Sequence, residues 1–407
     1  MLLRTFSFVF AAPFFLCAKE LKFEAEQIHQ NLAEACAVGD LDRDGELDIV
    51  SGKYYYLNPG WQPVSFRDLE GFGKDYLQDN GDHLLDVDQD GWLDIVSGQF
   101  TQPEVLWFRN PGKWPVGKTK PWIRQTLVDT KSNKNEISFF HDMDRDEDLD
   151  YIANSWADGE PMKVFLYSQG EPNPLLKSHT ISSSGNGHGQ GFGDINGDGL
   201  EDIVYKYGWY ERPADNSFAQ PWKQRNDFTL PFASCPILVF DLNEDGWQDL
   251  IWGNGHDYGL YWYEQLEPRK DGITRWKHHT IDDSISQLHA LTMADLDKDG
   301  KQEIVTGKRY YAHSGRDKGA EDPILLVRYS YEMKPSGEVK FQRHIIHEGR
   351  AGTGLQIRVA DLDGNGWLDL VVSGKTGLHI LKNQGKQRSI HWSFSISTNF
   401  SASISHS

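Results

Sequence analysis

Five acidic side chains fall within nine residues at Asp40–Asp48, DLDRDGELD, around a single glycine. Carboxylates this close repel one another, so a folded chain must neutralise them. Asp-x-Asp-x-Asp-Gly spacing offers a way: one sharp turn presents several oxygens to one hard cation, and Ca²⁺ takes about 6–8 oxygen ligands. A single such loop would equally suit a solvated acidic turn. Here the pattern returns as DVDQDGWLD from Asp86, DMDRDEDLD from Asp142, DINGDGLED from Asp194, DLNEDGWQD from Asp241, DLDKDGKQE from Asp295 and DLDGNGWLD from Asp361. The starts lie 46 to 66 residues apart. A recurrence at this period marks a repeat architecture instead of a string of unrelated domains.

Positions 1, 3, 5 and 9 of each loop are the expected ligands, with a backbone carbonyl from position 7. They are Asp40, Asp42, Asp44 and Asp48, then Asp86, Asp88, Asp90 and Asp94, then Asp142, Asp144, Asp146 and Asp150. The fourth loop supplies Asp194, Asn196, Asp198 and Asp202, and the fifth Asp241, Asn243, Asp245 and Asp249. The sixth supplies Asp295, Asp297, Asp299 and Glu303, and the seventh Asp361, Asp363, Asn365 and Asp369. Asn still offers an oxygen but lowers the charge. The third loop departs from the pattern, because Glu147 stands where the others have Gly; a left-handed backbone there would cost about 1 kcal/mol. Six or seven Ca²⁺ ions are therefore expected. Seven equivalent ions cannot each be an active site, so their expected role is structural.

The flanks exclude an EF-hand, which needs helices on both sides and a Glu at position 12. After position 9 come IVSG, IVSG, IVYK, LIWG, IVTG and LVVS, then aromatic stretches such as YYYLNPG and YGLYWYEQ, then runs such as IRQTLVD and KHHTID. β-branched residues ending at Gly read as strand and turn. One strand before each loop and three after it make a four-stranded propeller blade. The expected fold is an all-β, seven-bladed β-propeller over residues 19–386. Its N-terminal segment LKFEAEQI would complete the last blade and remove an open sheet edge. Insertions interrupt it at residues 113–122 and 311–323. Residues 387–407 are Ser-rich and expected to be a loose tail.

Half of the chain's 60 acidic residues lie in the seven loops, so the net charge of −19 is mostly a metal-site signature. It gives no reason to expect nucleic acid, whose binding needs clustered Lys and Arg. The start, MLLRTFSFVFAAPFFLCAKE, has one Arg and then about a dozen mostly apolar residues before a small one, as in a secretory signal peptide, expected at 1–18. That run is too short for a membrane span, which takes about 20 residues. A secreted or periplasmic protein follows, in surroundings where calcium is abundant. Cys36 and Cys235 lie in repeats that would not be neighbours and are expected as free buried thiols.

These loops resemble the FG-GAP/VCBS repeat family, whose Ca²⁺-binding propellers include the integrin α-subunit head. Gly191-Phe192-Gly193 before Asp194 is the closest trace of the Phe-Gly mark. The resemblance implies the fold and the metal, not one function. NGHGQGFGDINGDG, GWYERP and TGKRYYAHSGRDKGAEDP are also similar to the propeller part of aldos-2-ulose dehydratase and its bacterial relatives, which eliminate water from oxidised sugars.

Two functional readings follow. The first is a glycan- or protein-binding module. The second is a sugar-active lyase whose histidines serve as base and acid. His83, His141, His188 and His289 precede their Asp loops at different offsets, on the expected innermost strands that line the channel, and are the catalytic candidates. Tyr207, Lys308, Arg309, Tyr310 and His313 lie in the dehydratase-like stretches and are secondary candidates. His179, His279 and His344 share one register and read as structural. Trp107, Trp209 and Trp262, and Trp92, Trp247 and Trp367 at loop position 7, recur as packing residues would. No nucleophile elbow, zinc-protease helix, phosphate loop or dinucleotide fingerprint is present.

Overall fold

A computed structural model describes residues 19–113, 122–168, 176–268 and 272–388. The expected signal segment, nearly all of the expected tail and most of the insertion at 113–122 lie outside the described residues. Among those described are seven antiparallel four-stranded sheets and one small two-stranded sheet. The seven sheets are the blades. Their innermost strands are Ala37–Gly39, Gly81–Leu85, Phe139–His141, Gln190–Gly193, Leu238–Phe240, Leu291–Ala294 and Ile357–Ala360. Each runs straight into an Asp loop, and the second strand begins at loop position 9. In blade seven the third strand, Gly377–Arg388, runs two residues past the expected boundary at 386 and pairs with the N-terminal strand Lys19–His29. The first and last described strands thus share one sheet.

Position 9 explains why the blades form where they do. Its carboxylate accepts the N–H of loop position 2, as in Leu41 N to Asp48 Oδ2 at 2.9 Å and Ile195 N to Asp202 Oδ2 at 2.9 Å. In six blades its other oxygen accepts an N–H from the third strand or its end: Asn58, Asn110, Tyr167, Arg212, Gln265 and Asn383. The side chains of those six residues then donate to the position-2 carbonyl of the preceding blade. Asn110 Nδ2 reaches Leu41 O at 3.0 Å, Gln265 Nε2 reaches Ile195 O at 2.9 Å, and Asn58 Nδ2 reaches Leu362 O of blade seven at 2.8 Å. Tyr167, Arg212 and Asn383 do the same to Val87, Met143 and Leu296. In blade six Arg328 bonds Glu303 directly. Hydrophobic packing follows the same neighbours: Val50 and Tyr55 of blade one share a buried cluster with Ile95, Leu106 and Phe108 of blade two.

The recurrent tryptophans pack between blades. Trp107, Trp209 and Trp262 are buried. Each loop-position-7 Trp lies against position 4 of the preceding loop: Arg43 over Trp92 at 4.8 Å, Lys298 over Trp367 at 4.6 Å, and Gly197 beside Trp247. Loop position 6 is left-handed in all seven copies, with φ between 74° and 93°, and Glu147 (φ 74°) adopts it without being glycine. Glu147→Gly is therefore expected to stabilise the fold by about 1 kcal/mol, read by urea denaturation. Asn110→Ala strands the buried carbonyl of Leu41 and the half-buried carbonyl of Leu93; a loss of about 1–3 kcal/mol is expected in the same assay.

Candidate functional site

Each inner strand leads away from one end of the barrel and toward the Asp loops at the other. The connections between blades, and the turns between second and third strands, therefore meet at the end opposite the Asp loops. A cavity of about 620 Å³ opens there, within the usual size of a small-molecule site. Its lining comes mostly from residues outside the repeat. The two-stranded hairpin Gly71–Phe72 and Tyr76–Leu77, between blades one and two, supplies Phe72, Lys74 and Tyr76. The blade-six insertion, with its short 3₁₀ turn Ala312–Gly315, supplies His313, Ser314 and Arg316. The two segments are tied together: Ser314 Oγ donates to Asp75 Oδ1 at 2.6 Å, and His313 N donates to Tyr76 Oη at 2.6 Å. Below the cavity, Phe100, Ile137, Cys235 and Leu355 form a buried apolar cluster.

Three imidazoles converge here: His188 and His256 line the cavity, and His289 is fully buried beside them. His188 Nε2 lies 3.0 Å from His256 Nε2 and 3.2 Å from His289 Nε2. Glu136 Oε1 is 3.5 Å from His289 Nε2 and 4.0 Å from His188 Nε2. The other ring nitrogens set the tautomers. His188 Nδ1 faces the Ala233 carbonyl at 2.7 Å, so it must donate. His256 Nδ1 faces Asp317 Oδ2 at 3.0 Å and donates likewise. Both Nε2 atoms then carry lone pairs, and those lone pairs point at each other. Burial lowers all three histidines, His188 to about 4, which favours the neutral rings. Burial pushes Glu136 up to about 7, although Arg309 pulls it down. His188 and His256, with their far nitrogens held by a carbonyl and a carboxylate, have the outer partners a metal site needs, whereas His289 Nδ1 is buried without a hydrogen-bond partner. A tetrahedral ion with bonds of about 2.0–2.1 Å sets its nitrogens about 3.3 Å apart, close to what these rings adopt.

Of the four expected histidines, the structure brings together His188 and His289 and leaves the other two out. His83 stays in the inner strand of blade two, edge-on to Phe140 at 4.8 Å. His141 stacks on Phe192 and bonds Glu201 at 2.7 Å, beside the Asp loops. Among the secondary candidates, Arg309 and His313 line the cavity. Arg309 is held bidentately by Glu34 at 3.0 and 2.6 Å. Lys308 is buried against Ser286 Oγ at 2.8 Å, and Tyr207 bonds Asp158 at 2.6 Å. Neither Lys308, Tyr207 nor Tyr310 lines the cavity. His256, Glu136 and Asp317 escaped the sequence reading. One signal was present for His256: Gly-Asn-Gly-His occurs twice, at 185–188 and 253–256, outside the blade period.

In the Asp loops, positions 1, 3 and 5, or 1, 3 and 9, bring carboxylate oxygens within 4.8 Å of one another in the first three copies. Position 1 closes the turn, as where Asp40 accepts Asp44 N and Gly45 N. Four of the five position-3 aspartates, Asp42, Asp88, Asp144 and Asp297, keep one buried oxygen without a hydrogen-bond donor. An oxygen left in this state could take part in holding a cation. Loops four and five differ, since Asn196 and Asn243 donate to Asp198 and Asp245 at 3.0 Å. Loops two and six hold an arginine: Arg109 bonds Asp88 and Asp90, and Arg328 bonds Glu303. Burial pushes Asp48, Asp94, Asp150 and Asp249 up to about 7, Asp202 to about 8 and Asp369 to about 6, against the backbone N–H bonds that lower them.

Comparison with known proteins agrees with the architecture. Residues 241–306 match the family described as FG-GAP-like repeat. The match runs from the Asp loop of blade five through the second strand of blade six. No curated protein matches the chain. A solved lectin from Agrocybe aegerita, described as recognising non-reducing terminal N-acetylglucosamine, aligns at 16% identity over 80% of each chain with a TM-score of 0.44. With seven four-stranded sheets the chain is a seven-bladed β-propeller, and residues 241–306 of it match the FG-GAP-like repeat.

Proposed function

We propose that this is an extracytoplasmic, calcium-stabilised propeller whose cavity binds a carbohydrate-sized ligand on a divalent transition-metal ion. His188, His256, His289 and Glu136 would hold that ion. The observation that carries the reading is the pair of Nε2 lone pairs facing each other at 3.0 Å, each fixed by a partner on Nδ1. Only a cation or a shared proton relieves that repulsion, and burial disfavours the proton. Imidazole with one carboxylate suits zinc and its first-row neighbours. Exposed Trp156 and Phe232 at the rim offer aromatic faces beside polar groups, which suits a sugar ring.

A second reading, a carbon–oxygen lyase on an oxidised sugar, is favoured by one further observation. His313 Nδ1 donates to Asp317 Oδ2 at 2.7 Å, which leaves Nε2 as a base in the cavity wall. Such a base would take the proton next to a carbonyl. Arg309 lies close enough to steady the negative charge, and an acid would protonate the departing hydroxyl.

Three outcomes test these readings. Purified protein is expected to carry a transition metal that His188→Ala and His289→Ala lose, as read by elemental analysis. Asp317→Asn should weaken its affinity about 10–100-fold. Equal metal content in wild type and both alanine variants would overturn the site. Turnover of keto sugars, followed by the ultraviolet absorbance of a new enone, decides between lyase and binding module: product that His313→Ala abolishes makes it an enzyme. For the Asp loops, protons compete with calcium for carboxylates whose folded pKa values are raised. The folded, calcium-free protein holds protons there that the unfolded chain releases near pH 4. The calcium-induced rise in melting temperature should therefore be small at about pH 5 and grow toward about pH 8. A melt unchanged by chelation at both would remove calcium from the account.

A further inference from the structure

The cavity's charge runs against that of the chain. In a protein of net charge −19, the lining carries Lys74, Lys206, Arg309 and Arg316 but a single carboxylate, Glu136. Two of these cations are spoken for. Arg309 is held by Glu34, and Lys206 pairs with Asp158 at 3.1 Å. Lys74 and Arg316 form no ion pair among the described residues; Asp75, next to Lys74, is paired with Lys375 at 3.0 Å instead. Arg316 donates Nε to the His313 carbonyl at 3.0 Å, and no carboxylate neutralises its charge.

The origin of the two cations matters. Lys74 comes from the hairpin between blades one and two, Arg316 from the blade-six insertion. Neither segment belongs to the repeat, and they meet over the same cavity through Ser314–Asp75 and His313–Tyr76. Two unrelated additions to the propeller thus each deliver to one pocket a positive charge that forms no ion pair among the described residues. An acidic chain gains nothing in solubility from this, whereas a negatively charged ligand gains an anchor. A cationic guanidinium and ammonium bond a carboxylate more strongly than a neutral hydroxyl.

We propose that the ligand of this pocket is a sugar bearing a carboxylate, a uronic acid type of residue, anchored by Lys74 and Arg316 while the ring lies toward the metal histidines. This rests on the carbohydrate and metal reading given above. The test is calorimetric titration of the metal-replete full chain with D-glucuronate, D-glucose and D-glucose 6-phosphate, with metal content measured on the same samples. Glucuronate is expected to bind about tenfold or more tightly than glucose, and to weaken as salt rises. Lys74→Met and Arg316→Gln, both at exposed positions, should each remove most of that preference and leave metal content unchanged. Equal affinity for glucuronate and glucose, or no glucuronate binding by metal-loaded protein, overturns the inference. Tighter binding of the phosphate than of glucuronate also overturns it. A preference that survives both substitutions removes Lys74 and Arg316 from it. Loss of metal from the wild type itself would instead sink the metal reading, which separates the two failures.

Discussion

The fold depends on one buried carboxylate used seven times. Loop position 9 sits at the start of the second strand and binds backbone on two sides. One oxygen closes the Asp loop at position 2. In six blades the other grips the third strand, whose Asn, Tyr, Arg or Gln side chain then reaches the preceding blade. Loop closure, strand order and blade-to-blade registration therefore share one group. Burying that group as an anion is costly, which is why its pKa rises and why a nearby cation would reinforce the whole ring.

The two ends of the propeller divide the work. At the Asp-loop end every blade repeats the position-9 bond that closes the loop. At the other end the connections vary in length, and the variation builds a cavity. Glu136, His188 and His289 each precede an inner strand of a different blade, while His256 and Arg309 sit where second strands end. Radial convergence of inner strands brings these ends together around the axis. Phe100 of the cavity wall belongs to a buried apolar cluster with Ile137, Cys235 and Leu355.

Much of this was legible in the chain. The loops, the strand count and the sharing of the last blade by both ends follow from local pattern and period. Glu147 was singled out for standing at a glycine position, and its φ of 74° shows that the loop imposes the left-handed backbone regardless of residue. The histidines were legible only as a set. His83, His141, His188 and His289 look alike in sequence, each near the start of an Asp loop. Offset along the inner strand separates them: His141 ends its strand beside the loops, whereas His188 and His289 precede theirs at the cavity end. His256 lies after a second strand, where no inner-strand argument looks. Glu136 has no pattern of its own at all.

The sequence by itself determined the repeat, the β-class, the acidic loops and the residues that turn them, because these are set by contacts within about fifty residues of chain, one blade period. Only the tertiary structure decided which histidines meet. His188 and His256 are separated by 68 residues, and His188 and His289 by 101. Their ring nitrogens come within about 3 Å because neighbouring blades turn about a common axis. Which nitrogen carries the proton was likewise settled by distant partners, the Ala233 carbonyl and Asp317, whose proximity no spacing along the chain encodes.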